Sequence, residues 1–232
     1  MVTGSPRADL PLVDKLADYG VATVHEALGR TGYLGPGIRP IYPGTRISGT
    51  AVTVVCWPGD NLMIHAAVEQ CQPGDILVVT TTSPSSDGAF GELLATSLQH
   101  RGVRGLVTTG GVRDTAELKA MKFPAFAGYV SAQGTVKATA GAVNVPVSIA
   151  GQRIRAGDAI LADDDGVLTV PREQVGQALA GAGARTDREA AARAAFQAGE
   201  LGLDRYGLRT KLSELNVEYL SYERYADGDD RA

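Results

Sequence analysis

Cysteine is almost missing from this 232-residue chain, and the two that occur, Cys56 and Cys71, share no CxxC or Cys/His spacing. A thiolate zinc site is thereby excluded, and both read as plain core thiols. Histidine is as scarce: His25, His65 and His100 fall singly on separate expected helices, where a lone imidazole is more often structural than a ligand. No Lys/Arg-rich run occurs, and the 26 acidic residues outnumber the 22 basic ones, so nucleic acid is not an expected partner. No window approaches the roughly 20 apolar residues of a membrane span. The opening MVTGSPRADLPLVDKLADYG has no apolar stretch of signal-peptide length either, so the cytoplasm is the expected compartment.

What is there suits one globular domain. Hydrophobic residues make up 44% and charged residues 21%, enough apolar side chains for a buried core. Residues 8–30 read as two short amphipathic helices broken at Gly20, and the Gly- and Pro-rich segment 31–46 as a loop packed down by Tyr33, Leu34, Ile38 and Ile41. QPGDILVVTT (72–81) and RAGDAILADDDG (155–166) resemble each other, each a Gly-Asp turn launching an apolar strand. Further strands are expected at 47–56, 104–109, 143–149 and 167–170, with helices at 60–70, 91–101 and 114–121. Mixed α/β structure follows. The Ala-, Glu- and Arg-rich stretch from Arg172 to about Tyr206 reads as one or two exposed helices opening a helical tail over about 172–232, and the polar end YADGDDRA as frayed.

Chemistry concentrates in SPSSDGAFGELLATS (83–97) and GLVTTGGVRD (105–114). In the first, the opening amides of a helix at Gly91, Glu92, Leu93 and Leu94 lack intrahelical partners and favour an anion such as a carboxylate, while glycine at 91 admits a ligand close to the backbone. In the second, an apolar strand meets Gly110-Gly111, read as a turn, and then Arg113 and Asp114. Arg113 offers a two-point fork to a carboxylate and Asp114 an oxygen to a hard cation. A surface ion pair after a turn is the plainer alternative. Lys137 in GTVKAT is the one placed candidate for a Schiff-base lysine, with nothing around it to lower its pKa, and Asp163-Asp164-Asp165-Gly166 reads as a turn between strands rather than a metal cluster.

An acidic residue, twenty intervening residues and then Arg-Asp, here Glu92 to Arg113-Asp114, resembles the signature of the pyruvate-releasing class II aldolases of 4-hydroxy-4-methyl-2-oxoglutarate and 4-carboxy-4-hydroxy-2-oxoadipate, the RraA-like family. The likeness extends through residues 20–32, 39–54, 60–70, 121–139, 157–172 and 196–206. It implies an α/β fold, a β/β/α-type sandwich with flanking N- and C-terminal helices, assembling as homotrimers or homohexamers with active sites between subunits. It further implies Mg²⁺ or Mn²⁺ held directly by Asp114, with Glu92 acting through the ion's water shell, and a substrate clamped by Arg113 and by the amides of Gly91, Glu92, Leu93 and Leu94. Glu26 and Glu200 match acidic positions that a neighbouring subunit contributes. Many of these aldolases carry Asp where this chain has Glu92. The same overall pattern, without the full acidic-x20-Arg-Asp metal site, occurs in a trimeric regulator of ribonuclease E activity, which binds a protein, so that Asp114 favours the enzyme; a metal-dependent oxaloacetate decarboxylase would pass through the same pyruvate enolate.

Overall fold

The computed structural model describes residues 1–229, with side chains through residue 226. The chain divides into two compact units, Met1–Thr186 and Asp187–Ala232. The first opens with α1 (Leu10–Ala17), capped by the Asp9 carboxylate on the Leu12 N–H at 3.2 Å, and α2 (Val21–Ala27), entered through Gly20 at φ 78° as the expected break. A loop containing β1 (Arg39–Pro40) leads to the long β2 (Ile47–Cys56). Then come α3 (Leu62–Val68), β3 (Asp75–Thr81), β4 (Gly88–Phe90), α4 (Glu92–His100), β5 (Gly105–Val112), α5 (Thr115–Ala120) and β6 (Ala125–Val130). Short strands β7 (Ala142–Val143), β8 (Val147–Ile149) and β9 (Gln152–Ile154) precede the hairpin of β10 (Ala159–Asp163) and β11 (Gly166–Val170).

One mixed sheet runs in the order β1-β6-β5-β3-β2-β10-β11, with β4 added to β5 and β7 to β2. Its centre, β2-β3-β5-β6, is parallel, and β10 and β11 extend it antiparallel. The segment between α2 and β1 carries the sheet most of the way to closure. Tyr33 bridges Leu168, Leu34 N–H donates to Val167 O at 2.9 Å, and β1 pairs with β6.

Strand periodicity sorts the side chains into cores. Ile76 and Val78 of β3 point to the enclosed side, with Val107, Phe126, Ile160 and Val167. Leu77 and Val79 point outward under α3, α4 and α5, where Ile64, Leu98, Leu118 and Phe123 cover them. A third cluster seats α1 and α2 on β10 and β11 through Val13, Leu16, Val24, Leu161 and Leu168. Burial on both faces explains why the parallel strands read as unbroken apolar runs.

Several expectations change. β5 does not stop at a Gly110-Gly111 turn but continues to Val112, with a register shift against β6 between Thr108 and Gly111. Neither glycine has positive φ; a Cβ on Gly111 would stand 2.4 Å from Ser86 O, so close approach rather than turning requires glycine there. The strand expected over 143–149 is split, because Asn144 adopts φ 60° while its N–H donates to Thr53 O at 2.7 Å. β4 and β6 were not anticipated.

The helical stretch after Arg172 is chiefly α6 (Val175–Gln197). In the second unit α7 (Gly202–Arg205) is followed by α8 (Leu208–Glu214) and α9 (Tyr222–Asp229), so part of the end read as frayed is helical; residues 230–232 of that end lie outside the described residues. Cys56 and Cys71 are buried thiols, pushed by desolvation up to about 11 and about 12.

Candidate active site

β5 delivers its last residues to the edge where β4 and the strap 131–141 converge. Arg113 N–H donates to Phe90 O at 2.9 Å, Ser131 N–H to Val112 O at 2.9 Å, and Gly88 N–H to Gln133 O at 2.8 Å. The backbone around Arg113 is therefore fixed from both sides. Asp114 follows as the N-cap of α5 in the left-handed region, φ 56° and ψ 42°, a conformation that costs a non-glycine residue about 1 kcal/mol or more.

That turn points Asp114 at the start of α4. Its Oδ2 accepts the Glu92 N–H at 3.1 Å, with Arg113 Nε 3.6 Å from the same oxygen. Arg113 and Asp114 keep 47% and 38% of their side-chain exposure, so both face solvent after making these contacts. Gly91 sits beneath them: a Cβ there would lie 2.3 Å from Asp114 Oδ2 and 3.0 Å from Arg113 Cγ. The absent side chain makes room for the site's own residues.

One chain thus brings together Arg113, Asp114 and the backbone of Gly91, Glu92, Leu93 and Leu94. The Glu92 carboxylate does not touch Asp114; it lies along its own helix, accepting from Thr96 Oγ1 at 2.8 Å. Leu94 is buried in the core, whereas the Leu93 side chain is 78% exposed beside the turn. Glu26 is not part of the group within one chain. α2 packs on β10 and β11, and the Glu26 carboxylate is held by Arg30 Nε at 3.0 Å and Arg185 at 3.6 Å. The Arg30 hydrogen bond above all keeps Glu26 below the usual carboxylate range. Glu200 belongs to the second unit, where it pairs with Arg205 at 3.1 Å.

Two neighbours escaped the sequence reading. Asp60 is 3% exposed; its Oδ1 accepts the Leu62 N–H at 2.8 Å, and its Oδ2 accepts those of Ala138 and Thr139 at 2.8 and 2.7 Å. Burial pushes its pKa up, and these N–H donors pull it down further, leaving it below the ordinary value. Asn61 donates from Nδ2 to Ala89 O at 2.9 Å, while its buried Oδ1 has no partner among the described residues. Asp-Asn before an apolar run announces a helix start, and nothing local in DNLMIHAA marks their second task of tying the strap to β4.

The remaining candidates fall outside. Lys137 is exposed on the strap, and His65 is held below its ordinary pKa by burial first and by the Lys137 charge second. Asp163 accepts the Val21 and Asp165 N–H groups and Asp164 that of Gly44, closing the β10-β11 turn as expected. No group of three or more His, Cys, Asp or Glu able to hold a metal occurs among the described residues. A single exposed carboxylate fits a hard cation that keeps most of its water and meets substrate oxygens, and not an ion caged by protein donors.

A family model described as RraA-like, Aldolase/RraA, matches residues 21–169, a span containing Glu26, Asp60, Asn61, Glu92, Arg113 and Asp114 but not Glu200. The chain belongs to the RraA-like family. This RraA-like chain is 30% identical over 168 residues to a Halalkalibacterium halodurans protein named "Putative 4-hydroxy-4-methyl-2-oxoglutarate aldolase", covering 72% of this chain and 80% of that one. It is 37% identical over 142 residues to a Burkholderia multivorans protein of the same name, covering 61% and 86%. Among solved structures it resembles an uncharacterized Pseudomonas syringae protein at 25% identity and TM-score 0.77, covering 87% and 95% of the two chains. It also resembles Streptomyces coelicolor RraAS2, described as an unusual member of the RNase ES inhibitor RraA protein family, at 27% identity and TM-score 0.74, covering 82% and 99%. RraA-like architecture therefore carries both aldolase-named and inhibitor-named proteins.

Proposed function

We propose that the protein is a divalent-cation-dependent lyase that cleaves 4-carboxy-4-hydroxy-2-oxoadipate or 4-hydroxy-4-methyl-2-oxoglutarate to release pyruvate. The observation that carries this reading is the exposed Arg113-Asp114 pair seated against the first turn of α4. A bound Mg²⁺ or Mn²⁺, held by Asp114 with Glu92 nearby, would supply Lewis acidity toward the keto and carboxylate oxygens of a 2-oxo acid.

Arg113 meets a substrate carboxylate with its planar fork and sets positive charge beside the oxygen where enolate charge develops. The opening amides of α4 take the anionic end of the pyruvyl group. In the cleavage the C4 hydroxyl gives up its proton, the C3–C4 electron pair moves into the pyruvate enolate, and C4 becomes a carbonyl. A proton returned to C3 completes pyruvate; the other product is oxaloacetate or a second pyruvate. Loss of CO₂ from oxaloacetate passes through the same enolate, so decarboxylation is an expected side reaction.

Proton relay falls to Glu26 and Glu200 of a neighbouring copy, in a homotrimer or homohexamer with shared sites. Supporting this are the exposed Leu93, Tyr129, Val130 and Val136 in the first unit and the exposed Phe196, Leu201 and Tyr206 in the second, each an apolar set in need of a cover. Arg30 and Arg185 keep Glu26 a carboxylate. No described helix is long and apolar enough to cross a membrane, and the reading places the protein in the cytoplasm.

The likeness to RraAS2 and to the Thermus thermophilis RNA-processing inhibitor RraA, the latter at TM-score 0.59, favours a second reading as a protein-binding regulator of ribonuclease E activity. Pyruvate release from both aldol substrates, with and without Mg²⁺, decides between them. The lyase reading expects cation-dependent release that Asp114→Ala abolishes while remaining folded. Full activity of that variant in chelator refutes the cation's place at Asp114. A chain that releases no pyruvate under any condition yet slows ribonuclease E belongs to the second reading. Mixing Arg113→Ala with Glu200→Ala under subunit exchange tests the shared site: activity should reappear, and exchange without it overturns the sharing.

A further inference from the structure

The two oxygens of Asp114 stand in different surroundings. Oδ2 is occupied: the Glu92 N–H donates to it at 3.1 Å, Arg113 Nε lies 3.6 Å away, and the bare Cα of Gly91 leaves the space it fills. Among the described residues Oδ1 accepts no hydrogen bond, and the carboxylate is 38% exposed. Gly91 itself has φ −159°, extended backbone that any residue adopts, so conformational freedom does not call for glycine there. Room does. A methyl group at that position would displace Asp114 and Arg113 together.

We infer that Gly91 and the main-chain N–H of residue 92 are positioning groups for the cation ligand, locking Asp114 so that it presents Oδ1 alone. This rests on the lyase reading and deepens it by dividing the first turn of α4 between two tasks. The amide of residue 92 is spent inside the protein, on Asp114; those of Leu93 and Leu94 remain for the substrate's anionic end. A carboxylate already in a left-handed turn would otherwise swing freely, and a cation would have to order it on binding. The hydrogen bond is charge-assisted, the stronger kind. It comes from a backbone group, which no substitution at 92 other than proline removes.

Proline separates the two roles of residue 92. Glu92 is the first residue of α4, a position where proline's missing N–H breaks no helical hydrogen bond and its fixed φ suits the helix. Glu92→Ala removes the carboxylate and keeps the N–H; Glu92→Pro removes both. The measurement is Mn²⁺ affinity by electron paramagnetic resonance on the full-length protein without substrate, beside thermal unfolding. Glu92→Pro should bind Mn²⁺ about tenfold or more weakly than Glu92→Ala, as losses of groups supporting a metal ligand do. Gly91→Ala should show a similar loss with its side chain at 92 intact.

Equal Mn²⁺ affinity in Glu92→Ala and Glu92→Pro overturns the inference. Should Glu92→Pro fail to fold, Gly91→Ala decides alone, and unchanged affinity there overturns it equally. Failure of the underlying reading looks different: Asp114→Ala would then bind Mn²⁺ as tightly as the unaltered protein, and the inference would fall with it.

Discussion

The two ends of the sheet treat their aspartates in opposite ways. Where β3 and β10 begin, on either side of Thr50 in β2, Asp75 and Asp158 lie buried at 0% and 2% exposure. Asp75 accepts both Nε and Nη2 of Arg7 at 2.9 and 2.8 Å, the Thr50 hydroxyl at 2.5 Å and the Gln72 N–H at 2.7 Å. Asp158 accepts the Arg155 N–H at 2.9 Å, Arg155 Nη2 at 3.1 Å and the Arg172 N–H at 3.1 Å. At the far end Asp114 accepts one backbone N–H and stays open to solvent. A carboxylate whose acceptor sites are filled by the protein has only structure left to serve; one with an oxygen unclaimed can bind something else. The contrast makes demands on mutants.

Its sharpest form concerns stability. Asp75→Ala leaves the Arg7 guanidinium, a hydroxyl and an N–H facing an emptied, buried position, and should cost about 3–5 kcal/mol in urea unfolding. A cost below about 1 kcal/mol would erase the distinction between the ends. Next comes Arg113→Lys, which should lower kcat/KM about 100-fold, or roughly 2.7 kcal/mol, because an ammonium cannot make the planar two-point contact. Its unfolding curve should match that of the unaltered protein. Normal turnover would reduce Arg113 to a surface partner of Asp114.

A smaller effect concerns pH. Asp60 has its folded pKa below the unfolded value of about 3.9, so its stabilising contribution is complete above about pH 4 and fades as pH falls through the folded value. Asp14, pulled down chiefly by its hydrogen bond to Arg104, adds in the same direction. Asp60→Asn should therefore flatten the acid limb of stability against pH below 4. An unchanged acid limb would remove Asp60 from it. Smallest of all is Asp114→Gly: relief of the left-handed strain and the added freedom of glycine nearly cancel, leaving a stability change under about 1 kcal/mol. Mn²⁺ binding should be lost all the same. A large destabilisation would move Asp114 into the company of Asp75.

Much of this was legible in the sequence because the signals are local. The two Gly-Asp turns launch β3 and β10, which flank β2 from opposite sides, one parallel and one antiparallel. Arg113-Asp114 does stand at the end of a strand, against the helix that begins at Glu92. What stayed hidden depends on approach between distant segments. Gly110-Gly111 looks like a turn and is a strand pressed on Ser86 and Asp87; Gly91 looks like space for a ligand and is space for Asp114. Glycine's two uses, freedom and smallness, leave one letter in the sequence. β4, with three residues, is too short for a periodic pattern, and a glycine interrupts β6; the i,i+4 spacing of Glu26 and Arg30 was open to reading, whereas the distant partner Arg185 was not.

The tether between Arg7 and Asp75 also makes the chain its own gauge of unfolding. The Arg7–Ala8 peptide is a trypsin site by sequence, yet Ala8 is buried with its N–H on Gly157 O at 2.9 Å, and the Arg7 side chain a protease would grip is clasped by Asp75. Cleavage there must wait until the N-terminal segment lifts off the sheet. The rate at which trypsin releases the first seven residues then reports how often that lifting happens, with no label attached to the protein.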